Sequence, residues 1–313
     1  MGGVSFIATF YNKSLYVPAV LDAIGAQRGI ADKEFIFIDD GSTDNTLALL
    51  QEGTKNWQNV RIVSQANAGP AIATNNGIAL ATKDYIKFWD GDDVAHPDTT
   101  FLLLQAVEKH QAGFSFCGID FADFDVSEYF AQKDKFYASL NVSDETHLRS
   151  DPMRFILKGP FANPTTLLFK TDLLRQSGGA DPDVFIQDYA LSLRAAHLSP
   201  LVEIPRILSF AFPQVDQRLS SNDSQILHDL NAVLYHYAMG AAVLSRANRR
   251  YLGQRAAGRA WKWAQRHNGK TPFSGDFWRF LKSRISPLPL HKDELYQTLL
   301  PFRQSGKSIR TKL

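Results

Sequence analysis

Seven short segments at the start of the chain alternate between two hydrophobic periods, and this alternation restricts the fold more than any other feature. Val4 to Thr9, Glu34 to Ile38, Val60 to Val63 and Tyr85 to Trp89 are compact apolar runs of strand length. Between them, Leu15 to Ala26, the stretch through Leu47, Leu49 and Leu50, and Gly69 to Ala81 carry helical spacing or a small-residue helical composition. Thr43-Asp44-Asn45 offers caps for the second of these helices. Buried strands joined through helices make βαβ units, so the expected fold is α/β with a largely parallel sheet. Ligands of such sheets bind beyond the carboxyl ends of the strands. The polar groups Thr9-Phe10-Tyr11-Asn12, Asp39-Asp40-Gly41-Ser42 and Asp90-Gly91-Asp92-Asp93 all stand at such ends.

The last of these groups carries the sharpest chemistry. Three carboxylates within four residues repel one another, and when partly buried they need a cation or a positive ligand. Oxygen-only donors suit Mg²⁺ or Mn²⁺, and Mg²⁺ binds through one or two carboxylates plus substrate phosphate. Gly91 lets the backbone turn tightly and lets a phosphate approach. The plain alternative is a solvated acidic turn.

The neighbouring motifs weigh against that alternative. Ser5-Phe6-Ile7-Ala8-Thr9-Phe10-Tyr11-Asn12, Phe35 to Thr46 with its Asp39-Asp40-Gly41-Ser42 centre, Asn67-Ala68-Gly69, Asn75-Asn76-Gly77 and Phe88 to Asp93 follow one another in order. In this the chain resembles the family 2 glycosyltransferases, inverting enzymes of the GT-A fold, closely over residues 4–100 and more loosely over 160–220. The resemblance implies a Rossmann-like nucleotide-sugar-binding domain with a mostly parallel mixed sheet. It places Thr9 and Tyr11 at the base pocket, with Asp40, beside Asp39, accepting from a base N–H; a carboxylate there favours uracil and hence a UDP-sugar. Asn67 and Gly69 fall in the donor region. Asp90 would meet the ribose or a metal-bound water, Asp92 the Mn²⁺ or Mg²⁺ directly, and Asp93 would orient the sugar. Metal binding would also account for the lack of a basic loop near the strand ends.

An inverting transfer needs a base to deprotonate the acceptor hydroxyl. The segment Gly178 to Leu191 is similar to the family's base-bearing helix and makes Asp188 the catalytic candidate; a plain helix-capping Asp is the alternative. The chain departs from the family at Gln187, where Glu is common, and at Thr74, where Arg often stands. Arg218, in Asp216-Gln217-Arg218-Leu219-Ser220-Ser221, could clamp the diphosphate, and Asn163 lies where acceptor contacts are expected. Two other readings stay open. One is a catalytically silent nucleotide-sugar or glycan-binding module. The other, a sugar nucleotidyltransferase, is disfavoured because the chain lacks a Gly-rich basic N-terminal loop. Asn268-Gly269-Lys270-Thr271 mimics a phosphate loop but lacks the first glycine and the preceding strand.

Charge divides the chain. Residues 1–224 carry 18 Lys+Arg and 28 Asp+Glu, whereas residues 225–313 carry 16 and 4. We therefore expect a catalytic domain over 1–222 and a basic, mostly helical extension over 223–313. Its Arg and Lys residues alternate with Trp261, Trp263, Phe277, Trp278 and Phe280, a pattern that suits core packing or contact with an anionic membrane. No nucleic acid partner is expected; the acceptor would be a glycan or a lipid-linked glycan. No signal-like start and only one cysteine, Cys117, suggest a cytoplasmic protein, peripheral on the cytosolic face of an inner membrane.

Overall fold

The computed structural model describes residues 2–213, 222–240, 244–304 and 309–310. Its strands are β1 (Val4–Phe10), β2 (Lys33–Asp39), β3 (Val60–Ser64), β4 (Tyr85–Asp90), β5 (Asp93–Ala95), β6 (Phe114–Phe121), β7 (His147–Arg149), β8 (Leu167–Lys170) and β9 (Leu201–Ala211). Among them run the helices α1 (Val17–Gly25), α2 (Thr46–Thr54), α3 (Pro70–Leu80), α4 (Thr99–His110), α5 (Tyr129–Ser139), α6 (Met153–Ile156), α7 (Thr171–Ser177) and α8 (Gln187–Ala195). After them come α9 (Asp223–Met239), α10 (Arg246–His267), α11 (Gly275–Ile285), α12 (Lys292–Gln297) and α13 (Leu300–Arg303).

Two compact units emerge, and neither is a single stretch of chain. The first takes Met1–Pro152, Phe161–Ala180 and Arg194–Asp216; the second takes Met153–Pro160, Asp181–Leu193 and Gln217–Leu313.

The first unit holds the mixed sheet, in the order β3-β2-β1-β4-β8-β6-β9-β5, with β7 paired to β9. The run β3-β2-β1-β4 is parallel, as the βαβ pattern requires, and β8 enters antiparallel to β4. Apolar side chains on both faces of β1 are buried, as befits an interior strand. The small residues of α3 have a packing reason. A Cβ at Gly77 would stand 2.4 Å from Cγ2 of Ile7, so the helix lies directly on β1. Phe35, Phe37 and Trp57 pack edge to face at 4.7 and 6.2 Å. Pro164–Thr166 is a 3₁₀ turn capped by Asn163, and β8 begins directly after it at Leu167.

The stretch 120–150 holds the end of β6, then α5 and β7. Only Tyr129 and Tyr137 of α5 are buried, so its apolar stripe is too thin to read. The second unit is helical among its described residues. Its small core joins Ala260, Trp263 and Phe302, with Leu227 against them. Asn231 fastens three segments by donating from Nδ2 to the carbonyls of Ala256 and Thr298, at 3.1 and 3.0 Å. Cys117 is buried and unpaired, as expected of a small apolar core residue.

Candidate functional site

Parallel registry brings the polar strand ends side by side. Across the ladders of β1, Phe10 faces Asp39 and Thr9 faces Asp90. The loop after β1 is pinned along one rim: Asn12 N–H donates to Ser42 Oγ at 2.9 Å, Thr43 N–H to Asn12 Oδ1 at 2.8 Å, and Lys13 N–H to Thr46 Oγ1 at 2.8 Å. Asn12 needs a left-handed backbone, φ 52°, for this. Between these anchors Tyr11 is left 45% exposed, with its ring available for stacking. The cap of α2 comes from Asp44, whose Oδ1 accepts from Thr46 N–H at 3.0 Å; Asn45 makes no side-chain cap.

Asp39 and Asp40 are both buried. Asp39 accepts from Ser64 Oγ at 3.0 Å. Asp40 accepts from Gln65 Nε2 at 2.8 Å and from the backbone N–H groups of Ala68 and Gly69, both at 2.9 Å. It therefore holds the loop that contains exposed Asn67 and begins α3. Three donors use most of the roughly four acceptor positions of a carboxylate, so one remains for a base N–H.

At the end of β4 each carboxylate has a different setting. Asp93, expected to orient a sugar, is 3% exposed and turned into the protein. Its Oδ2 accepts from Asn163 Nδ2 at 2.6 Å and from Thr165 Oγ1 at 2.9 Å. The same Thr165 hydroxyl accepts from Asp90 N–H at 2.9 Å, so it ties the two ends of the turn together. Asn163, expected among acceptor contacts, is committed to this network. Asp92 Oδ2 lies 2.6 Å from Lys13 Nζ, with both side chains partly buried. So although the strand ends lack a basic loop, one basic side chain does stand there. Lys13 was missed although it sits three residues beyond β1.

Gly91 also differs from expectation. A Cβ there would stand 2.8 Å from Thr9 O and 2.7 Å from the Phe10 ring, so the missing side chain leaves room for β1. Beneath the turn, Lys87 is fully buried. Its ammonium donates to Phe88 O at 2.9 Å and to Thr165 O, and lies 4.8 Å from the Trp89 ring. Burial pulls it down to about 7, against the opposing charges of Cys117, Asp93 and Asp90.

The donor set of Asp90 and Asp92 is hard oxygen, and an ammonium already sits against one of those oxygens. Such a site suits a divalent cation of the Mg²⁺ or Mn²⁺ class, which would compete with Lys13 for Asp92.

In the second unit, Asp188 lies in the first turn of α8. It is only partly exposed, and burial pushes its carboxyl up to about 6, outweighing the backbone N–H groups of Tyr189 and Asp188 itself. That places its proton affinity near the range a general base needs at neutral pH. Asp181, Asp183 and His236 also bring potential metal ligands within 4.8 Å of one another; Asp181 Oδ2 lies 2.8 Å from His236 Nδ1. No sequence signal links these residues, which are 55 positions apart. Arg218, the expected diphosphate clamp, lies outside the described residues.

Comparison with known proteins identifies the family and the fold. The sequence model described as "Glycosyl transferase family 2" matches residues 5–164, just over half of the 313. The chondroitin synthase of Escherichia coli is 38% identical over 106 residues, which cover 34% of this chain and 15% of that protein. The chain spans about a third or less of the length of the curated relatives it matches. Residues 1–349 of S. aureus TarS, crystallised with UDP-GlcNAc, superpose with a TM-score of 0.65 at 16% identity, covering 96% of this chain and 88% of that one. The mannosyltransferase PcManGT of Pyrobaculum calidifontis, solved with GDP-Man and Mn²⁺, gives a TM-score of 0.58 at 16% identity, covering 98% and 88%. These likenesses establish the GT-A fold.

Proposed function

The chain belongs to glycosyl transferase family 2, and from that we propose an inverting, divalent-metal-dependent enzyme that moves a sugar from a nucleotide-sugar to a hydroxyl of a glycan or lipid-linked acceptor. The observation that carries the reading is the alignment of Thr9, Asp39 and Asp90 at adjacent strand ends, with Asp92 against a cation. Synthesis of a polysaccharide is the biological setting that the chondroitin synthase likeness favours. A UDP-sugar is the favoured donor, because Tyr11 offers a stacking face and Asp40 a remaining acceptor position for an imide N–H. TarS was crystallised with UDP-GlcNAc, which supports this choice.

In the reaction the acceptor oxygen attacks the anomeric carbon as its bond to the diphosphate breaks, and the configuration inverts. Asp188, ionised above about pH 6, takes the proton of the attacking hydroxyl. Asp90 and Asp92 would hold Mn²⁺ or Mg²⁺, whose Lewis acidity neutralises charge on the leaving diphosphate. Asp93, Asn163 and Thr165 fix the turn that aims them. Tyr11 and the loop secured by Asp40 orient the base.

The test is nucleoside diphosphate release from a panel of UDP- and GDP-sugars with Mn²⁺ or Mg²⁺. Slow, metal-dependent hydrolysis of a UDP-sugar, lost in Asp92→Asn, is expected. No release from any donor with either metal would sink the reading.

We further propose that the second unit meets an anionic membrane surface on the cytosolic side. No helix among the described residues is long and apolar enough to cross a bilayer. The aromatic residues of the basic region divide into two sets. Trp261 and Trp263 are buried, whereas Phe273 is 89% exposed and Trp278, Ile285 and Leu288 are also exposed, close in sequence to Lys282 and Arg284. Exposed apolar and basic residues together match the chemistry of an anionic interface.

A further inference from the structure

The second unit contains 19 Lys+Arg against 8 Asp+Glu. Some of that positive charge is turned inward without a carboxylate to meet it. Tyr251, Arg255 and Arg259 follow one another at intervals of four on α10, so they share one face. Tyr189 and Ser192, three apart on α8, share another. The charges of Arg259 and Arg255, and the Tyr251 phenol, all act on the buried Tyr189 hydroxyl.

Hydrogen bonding leaves this cluster incomplete. Arg255 donates one Nη2 bond, to Lys158 O. Arg259 donates from Nε to Asn231 Oδ1 at 2.8 Å and from Nη2 to Leu230 O at 3.3 Å. Both acceptors are neutral, and among the described residues neither guanidinium has a carboxylate partner. Arg255 Nε, Tyr189 OH and Ser192 Oγ are buried with no partner at all. Tyr189 and Ser192 are 2% and 1% exposed. Arg154 adds a third guanidinium, stacked 4.0 Å from the Tyr251 ring centre. Burial disfavours the Arg259 charge and the neighbouring Arg255 repels it, so against the pull of the Tyr189 phenol it is drawn down to about 10. Buried donors left without acceptors are uncommon in folded proteins and call for an explanation.

We propose that Arg255, Arg259 and Tyr189 form a binding site for a phosphate group, either free or as an ester on the acceptor. A tetrahedral oxyanion supplies several acceptor oxygens around one centre, and planar guanidinium donors match its edges. It would neutralise the two arginines and offer acceptors to the orphaned Arg255 Nε and Tyr189 OH. A carboxylate has fewer oxygens for the same donors. The acceptor role rests on the glycosyltransferase reading; the phosphate site itself does not.

The experiment is titration calorimetry of the full chain, without donor or metal. The probes are inorganic phosphate and glycerol 3-phosphate, with chloride at matched ionic strength as reference. Millimolar or tighter binding of phosphate is expected, weakened at least tenfold in Arg255→Gln and severalfold in Tyr189→Phe. Tyr189→Phe removes only an unpartnered hydroxyl, so its melting temperature without phosphate should match or exceed that of the parent, which keeps it informative if Arg255→Gln fails to fold. Tighter binding of the ester than of phosphate assigns the site to an acceptor; equal or weaker binding assigns it to free phosphate. No binding beyond chloride by the parent chain, or undiminished binding in Tyr189→Phe, would overturn the proposal. A chain that binds phosphate but releases no nucleotide from any donor would refute the catalytic reading and leave this site standing.

Discussion

Replacing Asp188 with Asn should make the protein more stable while removing its activity. Burial raises the Asp188 carboxyl from an ordinary 3.8 to about 6. The folded state therefore holds a proton that the unfolded state has released, and the carboxylate costs stability wherever it is ionised. The cost is small below pH 3.8, grows as the pH rises toward 6, and is constant above. A shift of that size corresponds to about 3 kcal/mol at pH 8, and to roughly half as much at pH 5. Because the side chain retains some exposure, these are upper values. Asn is nearly isosteric and carries no charge, so Asp188→Asn should gain most of this at pH 8 and less at pH 5. Urea denaturation of both proteins at the two pH values measures it directly. Turnover should fall by about 10²–10⁴ in the variant, the usual worth of a general base, with nucleotide-sugar binding kept. In the parent enzyme kcat/KM should decline below about pH 6. A gain over the parent that is no larger at pH 8 than at pH 5 would show that the carboxylate is compensated in the fold. Retained turnover would refute Asp188 as the base and favour the silent binding module.

Lys13→Met should release Asp92 from its ammonium partner. Mn²⁺ binding without nucleotide, followed by electron paramagnetic resonance, should tighten by roughly fivefold, the worth of about 1 kcal/mol from a partly exposed pair; unchanged binding would show that ammonium and cation do not compete. Asp40→Ala strands the N–H groups of Ala68 and Gly69, so denaturation should show a loss of about 3 kcal/mol, and a neutral result would count against its role in holding the loop. Flotation with anionic liposomes at low salt should recover the parent chain, and the double variant Phe273→Glu, Trp278→Glu should remain in solution. Failure of the parent chain to float would remove the membrane proposal.

Much of the sheet was legible because its strands are short apolar runs that end in acidic turns. Both signals are local, so Asp39, Asp40 and Asp90 could be placed at strand ends by reading along the chain. What could not be read depends on contacts between distant positions. Lys13 meets Asp92 across 79 positions, and nothing in either segment announces the pairing. Asp93 reads like its neighbours until Asn163 and Thr165 are brought to it. Gly91 suggested room for a ligand, but its requirement is set by Thr9 and Phe10 of another strand. Arg255 and Arg259 of α10, which meet no carboxylate among the described residues, were visible only as net charge, because sequence gives no indication of which charges lack a counterion. The split among the tryptophans was hidden for the same reason: Trp263 finds Phe302, whereas Trp278 remains exposed.

The fit of Gly91 against the end of β1 also limits how the enzyme can be redesigned. With Thr9 and Asp90 paired across the ladder and no space for a Cβ between the strands, the acidic turn cannot slide by one residue or accept an insertion without unseating the first strand. Strand end and turn behave as one cassette, to be transplanted together or left alone. Attempts to switch sugar or acceptor should therefore begin in the loops between about residues 110 and 160, ahead of Asn163 and Thr165, which hold that corner.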